Sequence, residues 1–242
     1  LRFPESGSNG ITGESLSSVS TTLMTDWNLV SGPSDQISVD DTYDPEALII
    51  PGTYYGFGNG YELTETLEPG KGYWVRSVGP GSVTFGSAGS GKITTLFNSK
   101  LNNASSISFN GSKLYFGVDI PEAERLSYSL PPKPPTGAFD VRFEGNWRAS
   151  ETGGEILVQN SDWPLNLQFS IRNVQSDFEE WVVLDEMNEL EFVLEESGSF
   201  ELVEPTDRLT LTKRAIIPGI FVLHQNYPNP FNPVTEISYS VP

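Results

Sequence analysis

Four groups of residues have types and spacings that could do chemistry. Asp35, Asp40, Asp41, Asp44 and Glu46 crowd one loop. Calcium takes roughly six to eight oxygen ligands, which clustered carboxylates and free carbonyls can supply. Asp40, Asp41 and Asp44 are therefore candidate ligands of a structural calcium ion, the only cofactor the chain suggests. The EF-hand spacing is absent, and the alternative is a solvated acidic loop capping a helical turn over Pro45–Ile49. Gly86-Ser87-Ala88-Gly89-Ser90-Gly91-Lys92 satisfies the phosphate-cradling G-x-x-x-x-G-K spacing, but Ile93 stands where a hydroxyl would hold magnesium. The strand-like Ile93-Thr94-Thr95-Leu96-Phe97 also replaces the helix whose N-terminus should face the phosphates. A glycine-rich hairpin turn is expected there. His224 is the single His, so a Ser-His-Asp arrangement would have to use it. Paired carboxylates across a cleft would serve glycoside hydrolysis, yet no spacing singles out a pair. Last, Tyr54, Tyr55, Phe57, Tyr61, Tyr73 and Trp74 crowd one region. Tyr54, Tyr55, Tyr61 and Trp74 are candidates for a platform that stacks on sugar rings. The same rings would equally fill a small β core, and Trp27 and Trp74 lie in strand-like surroundings suited to that.

The elements that must position these groups read as short strands of period two separated by turn residues. In the first half these are Trp27–Ser31, Tyr54–Phe57, Tyr61–Leu63, Tyr73–Ser77, Val83–Phe85 and Ile93–Phe97. Gly58-Asn59-Gly60 and Pro69-Gly70 supply turns, and the last two strands read as a hairpin. In the second half they are Ile107–Phe109, Leu114–Val118, Val141–Phe143, Glu155–Val158, Leu165–Ile171, Glu180–Asp185, Glu189–Glu195, Phe200–Glu204 and Arg208–Thr212. Ser197-Gly198 and Glu204–Asp207 are expected to close hairpins among the last of them. Leu130-Pro131-Pro132-Lys133-Pro134-Pro135 must be extended, because Pro removes donors and fixes φ. The expected fold is all-β: two tandem antiparallel β-sandwich-like modules, 21–98 and 99–214, after a lead-in over 1–20 and before a linker at 215–220.

Composition narrows the function. Gly (23) and Pro (18) are too frequent for a largely helical chain. The absence of Cys removes disulfides, thiol catalysis and cysteine-ligated metals. No apolar run reaches the roughly 18 residues of a membrane span, so no transmembrane segment is expected. Leu1 is not a Met and no signal-peptide pattern precedes the fold, so a mature, processed or cut fragment is expected. Lys plus Arg is 14 and Asp plus Glu is 32, a net charge of −18 that disfavours nucleic acid and anionic lipid as partners. Eleven of the acids fall between Asp177 and Glu204, where Lys and Arg are absent. They alternate with apolar residues, as in strands with a wet acidic face. A surface for divalent cations or a cationic partner is the alternative.

The most specific stretch is the last: Leu223-His224-Gln225-Asn226-Tyr227-Pro228-Asn229-Pro230-Phe231-Asn232-Pro233, then Thr235-Glu236-Ile237-Ser238-Tyr239. Its prolines hold an extended ribbon, and its asparagines suit side-chain turns. It resembles the opening of the type A C-terminal sorting domain of the type IX secretion system. That domain begins with a leucine, Gln-Asn-Tyr-Pro-Asn-Pro-Phe-Asn-Pro and a Thr-x-Ile-x-Tyr strand. The resemblance implies an Ig-like β-sandwich of which residues 221–242 are about the first third. Leu223, Gln225–Pro233 would be the sorting motif, and the secretion machinery the partner. Trp27–Ser31 with Leu67–Val75, and Leu130–Pro135 with Gly137–Phe143, resemble accessory β modules that precede such domains. The resemblance implies a non-catalytic region of a larger exported protein, secreted or held on the outer cell surface, acting as spacer and presentation module. The alternatives are an adhesin module binding glycan or a surface protein, an accessory part of a secreted hydrolase, and self-association through strand edges.

Overall fold

The computed structural model describes residues 13–86, 99–159, 162–172, 179–216, 222–230 and 233–240. The chain is all-β, built of sheets that are antiparallel except where β11 (Ser112–Phe116) pairs β13 (Ala149–Ser150) in parallel. It divides into two compact units, Leu1–Ser99 with Ala123–Lys133, and Lys100–Glu122 with Pro134–Pro242. Ala123–Lys133, contiguous in sequence with the second module, thus groups with the first.

The strands of the first unit are β1 (Ser18–Leu23), β2 (Asp26–Ser31), β3 (Ile37–Ser38), β4 (Thr42–Tyr43), β5 (Tyr55–Phe57), β6 (Tyr61–Leu63), β7 (Thr66–Leu67), β8 (Gly72–Ser77) and β9 (Gly81–Gly86). They form the sheets β2-β8-β5-β6 and β1-β9-β4, and the pair β3-β7. Period two is visible in β8, where Tyr73, Val75 and Ser77 are buried while Trp74 and Arg76 are half-buried. Val30, Tyr73 and Val75 meet Leu23, Val83 and Phe85 in the core, with Leu48 and Leu67. Each such side chain contributes about 1.5–3 kcal/mol relative to exposure. Gly58-Asn59-Gly60 closes β5 onto β6, with Phe57 opposite Tyr61, as expected. β1 begins inside the stretch that reads as lead-in, and its Ser20 hydroxyl bonds that of Thr84 on β9 at 2.8 Å. Both edges of β9 are taken, by β1 and β4, along Thr84–Phe85. The second arm of the expected hairpin, Ile93–Phe97, lies outside the described residues.

The second unit has β10 (Ser105–Phe109), β11 (Ser112–Phe116), β12 (Asp140–Phe143), β13 (Ala149–Ser150), β14 (Gly154–Gln159), β15 (Leu165–Ser170), β16 (Glu179–Asp185), β17 (Leu190–Leu194), β18 (Ser197–Leu202) and β19 (Arg208–Ala215). Two five-stranded sheets, β13-β11-β10-β15-β18 and β12-β14-β19-β16-β17, share one core. Its inward residues alternate along each strand: Ile107 and Phe109, Leu114 and Phe116, Ile156 and Val158, Trp181 and Val183, Leu209 and Leu211. The Trp181 ring meets Phe116 edge-on at 4.8 Å. Asn110 (φ 46°) and Gly111 (φ 98°) make the two-residue turn between β10 and β11, where successive positive φ values match the strand twist. Gly153 (φ 82°) is required by space as well, since a Cβ there would lie 2.3 Å from the Leu211 carbonyl oxygen.

Among the last four strands only β16 and β17 form a hairpin. β18 lies in the other sheet from β17 and β19, so the hairpins expected at Ser197-Gly198 and Glu204–Asp207 are sheet-to-sheet crossings instead. Ser197 and Gly198 are themselves strand residues. Alternation says which side chains share a face and is silent on which sheet a strand joins.

Strand β12 is buried on both faces. Val141 and Phe143 enter the core. On the other face the Arg142 guanidinium donates to Asp140 through Nε at 2.6 Å and Nη2 at 2.7 Å, and through Nη1 to Asn146 at 2.8 Å. The proline-rich run beside it is held by Gln159, whose Nε2 donates to the carbonyls of Pro135 at 3.0 Å and Ala138 at 2.8 Å.

Candidate functional site

The acidic loop resolves into structural roles. Val39–Asp41 is a single 3-10 turn whose N-cap, Ser38, accepts from the Asp40 amide at 3.2 Å. Asp40 and Asp41 are exposed, whereas Asp44 is buried. The Asp44 carboxylate accepts from the Leu48 amide at 2.9 Å and the Ile49 amide at 2.8 Å. Both of its oxygens are thereby committed to backbone. Among the described residues no group of three or more Asp, Glu or His could hold a metal ion, so Asp40, Asp41 and Asp44 do not converge on one. The expected helical turn over Pro45–Ile49 is likewise replaced. Pro45 and Glu46 form a turn, Ala47 takes φ 51°, and Asp44 satisfies the amides a helix would have used.

The four candidate aromatic residues separate. Tyr54 turns inward against the core, and its hydroxyl donates to Thr42 Oγ1 at 3.1 Å. Burial pushes its phenol up to about 12, reinforced by Asp44 and Asp40 and opposed by the Thr42 bond. Tyr55, Tyr61 and Trp74 share the opposite, outer face of β2-β8-β5-β6. Residues directly opposite in an antiparallel ladder lie on the same face, and Leu29 pairs Trp74, Trp74 pairs Tyr55, Tyr55 pairs Leu63 and Phe57 pairs Tyr61. Trp27 joins them opposite Arg76, outside the core cluster that its surroundings suggest. The rings form a row: Trp27–Tyr55 at 5.9 Å, Tyr55–Tyr61 at 6.3 Å and Tyr61–Phe57 at 5.1 Å between centroids, all edge-on. Arg76 lies 5.8 Å over the Trp27 ring and pairs with Asp26 at 2.8 Å. The Tyr61 hydroxyl donates to the Pro132 carbonyl oxygen at 2.7 Å. Phe57, Leu63 and Leu29 remain 47%, 49% and 64% exposed on this face. The crowding of aromatics is legible in the sequence. The contributions of Trp27, Leu29 and Leu63 come from register alone.

The acidic strands of the second unit find their cations on β19, just past the acidic stretch. Arg214 pairs with Glu180 at 2.7 Å and Glu191 at 2.5 Å, bridging three adjacent strands. Lys213 reaches Glu179 at 3.6 Å, and Arg208 pairs with Glu155. Asp185 is buried and accepts from the Asn188 side chain at 2.8 Å and the Thr206 hydroxyl at 3.1 Å. Glu186, Glu189, Glu195, Glu196, Glu201 and Glu204 stay exposed.

The terminal ribbon is a two-stranded hairpin of β20 (Val222–Leu223) and β21 (Tyr239–Ser240). Further in, the Tyr227 amide donates to the Glu236 carbonyl at 3.0 Å and the Glu236 amide to the Tyr227 carbonyl at 2.8 Å. Asn226 Nδ2 donates to Thr235 Oγ1 at 3.0 Å, and that hydroxyl donates to the Pro228 carbonyl at 3.0 Å. The Tyr227-Pro228 and Asn229-Pro230 bonds are cis. Leu223, Gln225, Tyr227, Pro228, Asn229, Pro230 and Pro233 are exposed and Asn226 is half-buried. His224 is exposed too, its amide bonded to the Ser238 carbonyl at 2.9 Å. Phe231 and Asn232 lie outside the described residues, as do Ser87–Ile93 of the glycine-rich stretch. No family model matches the chain, and no curated protein and no solved structure matches it.

Proposed function

We propose that the chain is a non-catalytic β-built region of a larger exported protein, carried by the type IX secretion system and presenting its neighbouring domain at the cell surface or outside. The observation in favour is the ribbon. Its Leu223, Gln225–Pro230 and Pro233 stand on a hairpin closed by the Tyr227–Glu236 amide pair, with Tyr227 79% exposed and open to a reader. The test is export of the tagged full-length protein from a bacterium with this secretion route. The tag is expected outside the cell and, on deletion of the translocon, trapped in the periplasm. Equal release by the deletion strain ends the reading.

The open part of the aromatic face supports a second reading, an adhesin module for glycan or a surface protein. Binding on a glycan array, lost on Trp74→Ala, is the expected result for the sugar form.

A further inference from the structure

We propose that the outer face of β2-β8-β5-β6 is a binding site for extended, proline-rich peptide carrying Lys or Arg, and that Leu130–Lys133 is its resident occupant. The row Trp27–Tyr55–Tyr61–Phe57 packs edge to face, with centroids 5.1 to 6.3 Å apart, into a continuous aromatic wall on which the apolar face of a pyrrolidine ring can lie. A polyproline chain makes no internal hydrogen bonds, and each proline offers only a carbonyl, so the matching surface must donate. Tyr61 does this, to Pro132 at 2.7 Å.

The occupant has the matching character. Leu130–Lys133 lies outside helix and strand, with Leu130 and Pro131 buried and Lys133 exposed. Its prolines fix φ before binding, so little conformational freedom is lost on docking. The site continues past this occupant, because Phe57, Leu63 and Leu29 stay open beside it. A net charge of −18 favours cationic peptides over acidic ones.

The experiment uses the whole chain and a labelled peptide of residues 128–136, Tyr-Ser-Leu-Pro-Pro-Lys-Pro-Pro-Thr, read by fluorescence anisotropy. A tethered occupant competes at an effective concentration near the millimolar range. Loosening it with Pro131→Ala and Pro132→Ala should therefore tighten peptide binding by about tenfold or more. Adding Tyr61→Phe should weaken that binding several-fold, and a peptide with alanine for all four prolines should not bind. No binding by the loosened variant with its native melting transition overturns the proposal, as does equal binding of the alanine peptide. Should the loosened variant not fold, amide exchange in the otherwise native protein decides. Tyr61→Phe should speed exchange at Ser129, Leu130 and Lys133 while the β8 core amides stay protected, and unchanged exchange there overturns the proposal.

Discussion

The outer face of the aromatic sheet in the first unit and that of the acidic sheet in the second arise from the same period-two pattern and end differently. In β2-β8-β5-β6 the residues turned away from the core are Trp27, Leu29, Tyr55, Phe57, Tyr61, Leu63 and Trp74, with Arg76 the one cation among them. In β14-β19-β16-β17 they include Glu155, Glu180, Glu191, Arg208 and Arg214, which neutralise one another across strands. A sheet with ion pairs outside is satisfied by water. One with rings outside gains free energy from a further layer, about 25 cal/mol for each Å² of apolar surface covered. Alternation alone does not distinguish a face closed by ion pairs from one left with apolar surface open.

The largest test removes the buried counter-ion on the second unit. Asp140→Ala leaves Arg142 charged without its carboxylate and should cost about 3–5 kcal/mol, measured by urea unfolding. Replacing Arg142 by Met as well should restore most of it. Trp181→Ala, within the core beside Phe116, is expected to cost about 3–5 kcal/mol, against about 1 for Trp27→Ala. Equal costs would make the outer aromatic face a second core and dissolve the contrast. The next effect is alkaline. The Tyr54 phenol, raised by burial to about 12 in the folded protein from its ordinary value of about 10, favours the folded state fully below pH 10. The unfolded chain then ionises first, so stability falls by about 2–3 kcal/mol as pH rises from 10 to 12. Tyr54→Phe should flatten that slope in a pH series of melts. The smallest effect belongs to the exposed ladder: Glu191→Gln should cost under about 1 kcal/mol and disappear in molar salt.

Strand positions were largely legible because alternation and turn residues are local. β5, β6 and their Gly58-Asn59-Gly60 loop, β8 after Pro69-Gly70, and β14, β16 and β19 all follow the pattern. What was hidden depends on distant partners. β1, a run of Ser, Thr and Val, is a strand because β9 pairs with it across more than sixty residues. β18 leaves its neighbours for the other sheet because Leu202 and Leu165 face each other there. The acidic loop misled for a local reason, since a carboxylate that caps two amides looks in sequence like one free to bind metal. Parity identified the aromatic crowd and missed its orientation: Tyr54 went inward and Trp27 outward.

The bond from Tyr61 to Pro132 spans 71 residues. At about 5–20 residues per second, a ribosome needs about 4–14 s to supply the second partner after the first. Once β9 has been made, the described strands of the first unit are all present, yet Ala123–Lys133, which belongs to that unit, is still to come. A chaperone would meet bare rings there, and a pulse of protease during synthesis should nick that unit sooner than in the released protein.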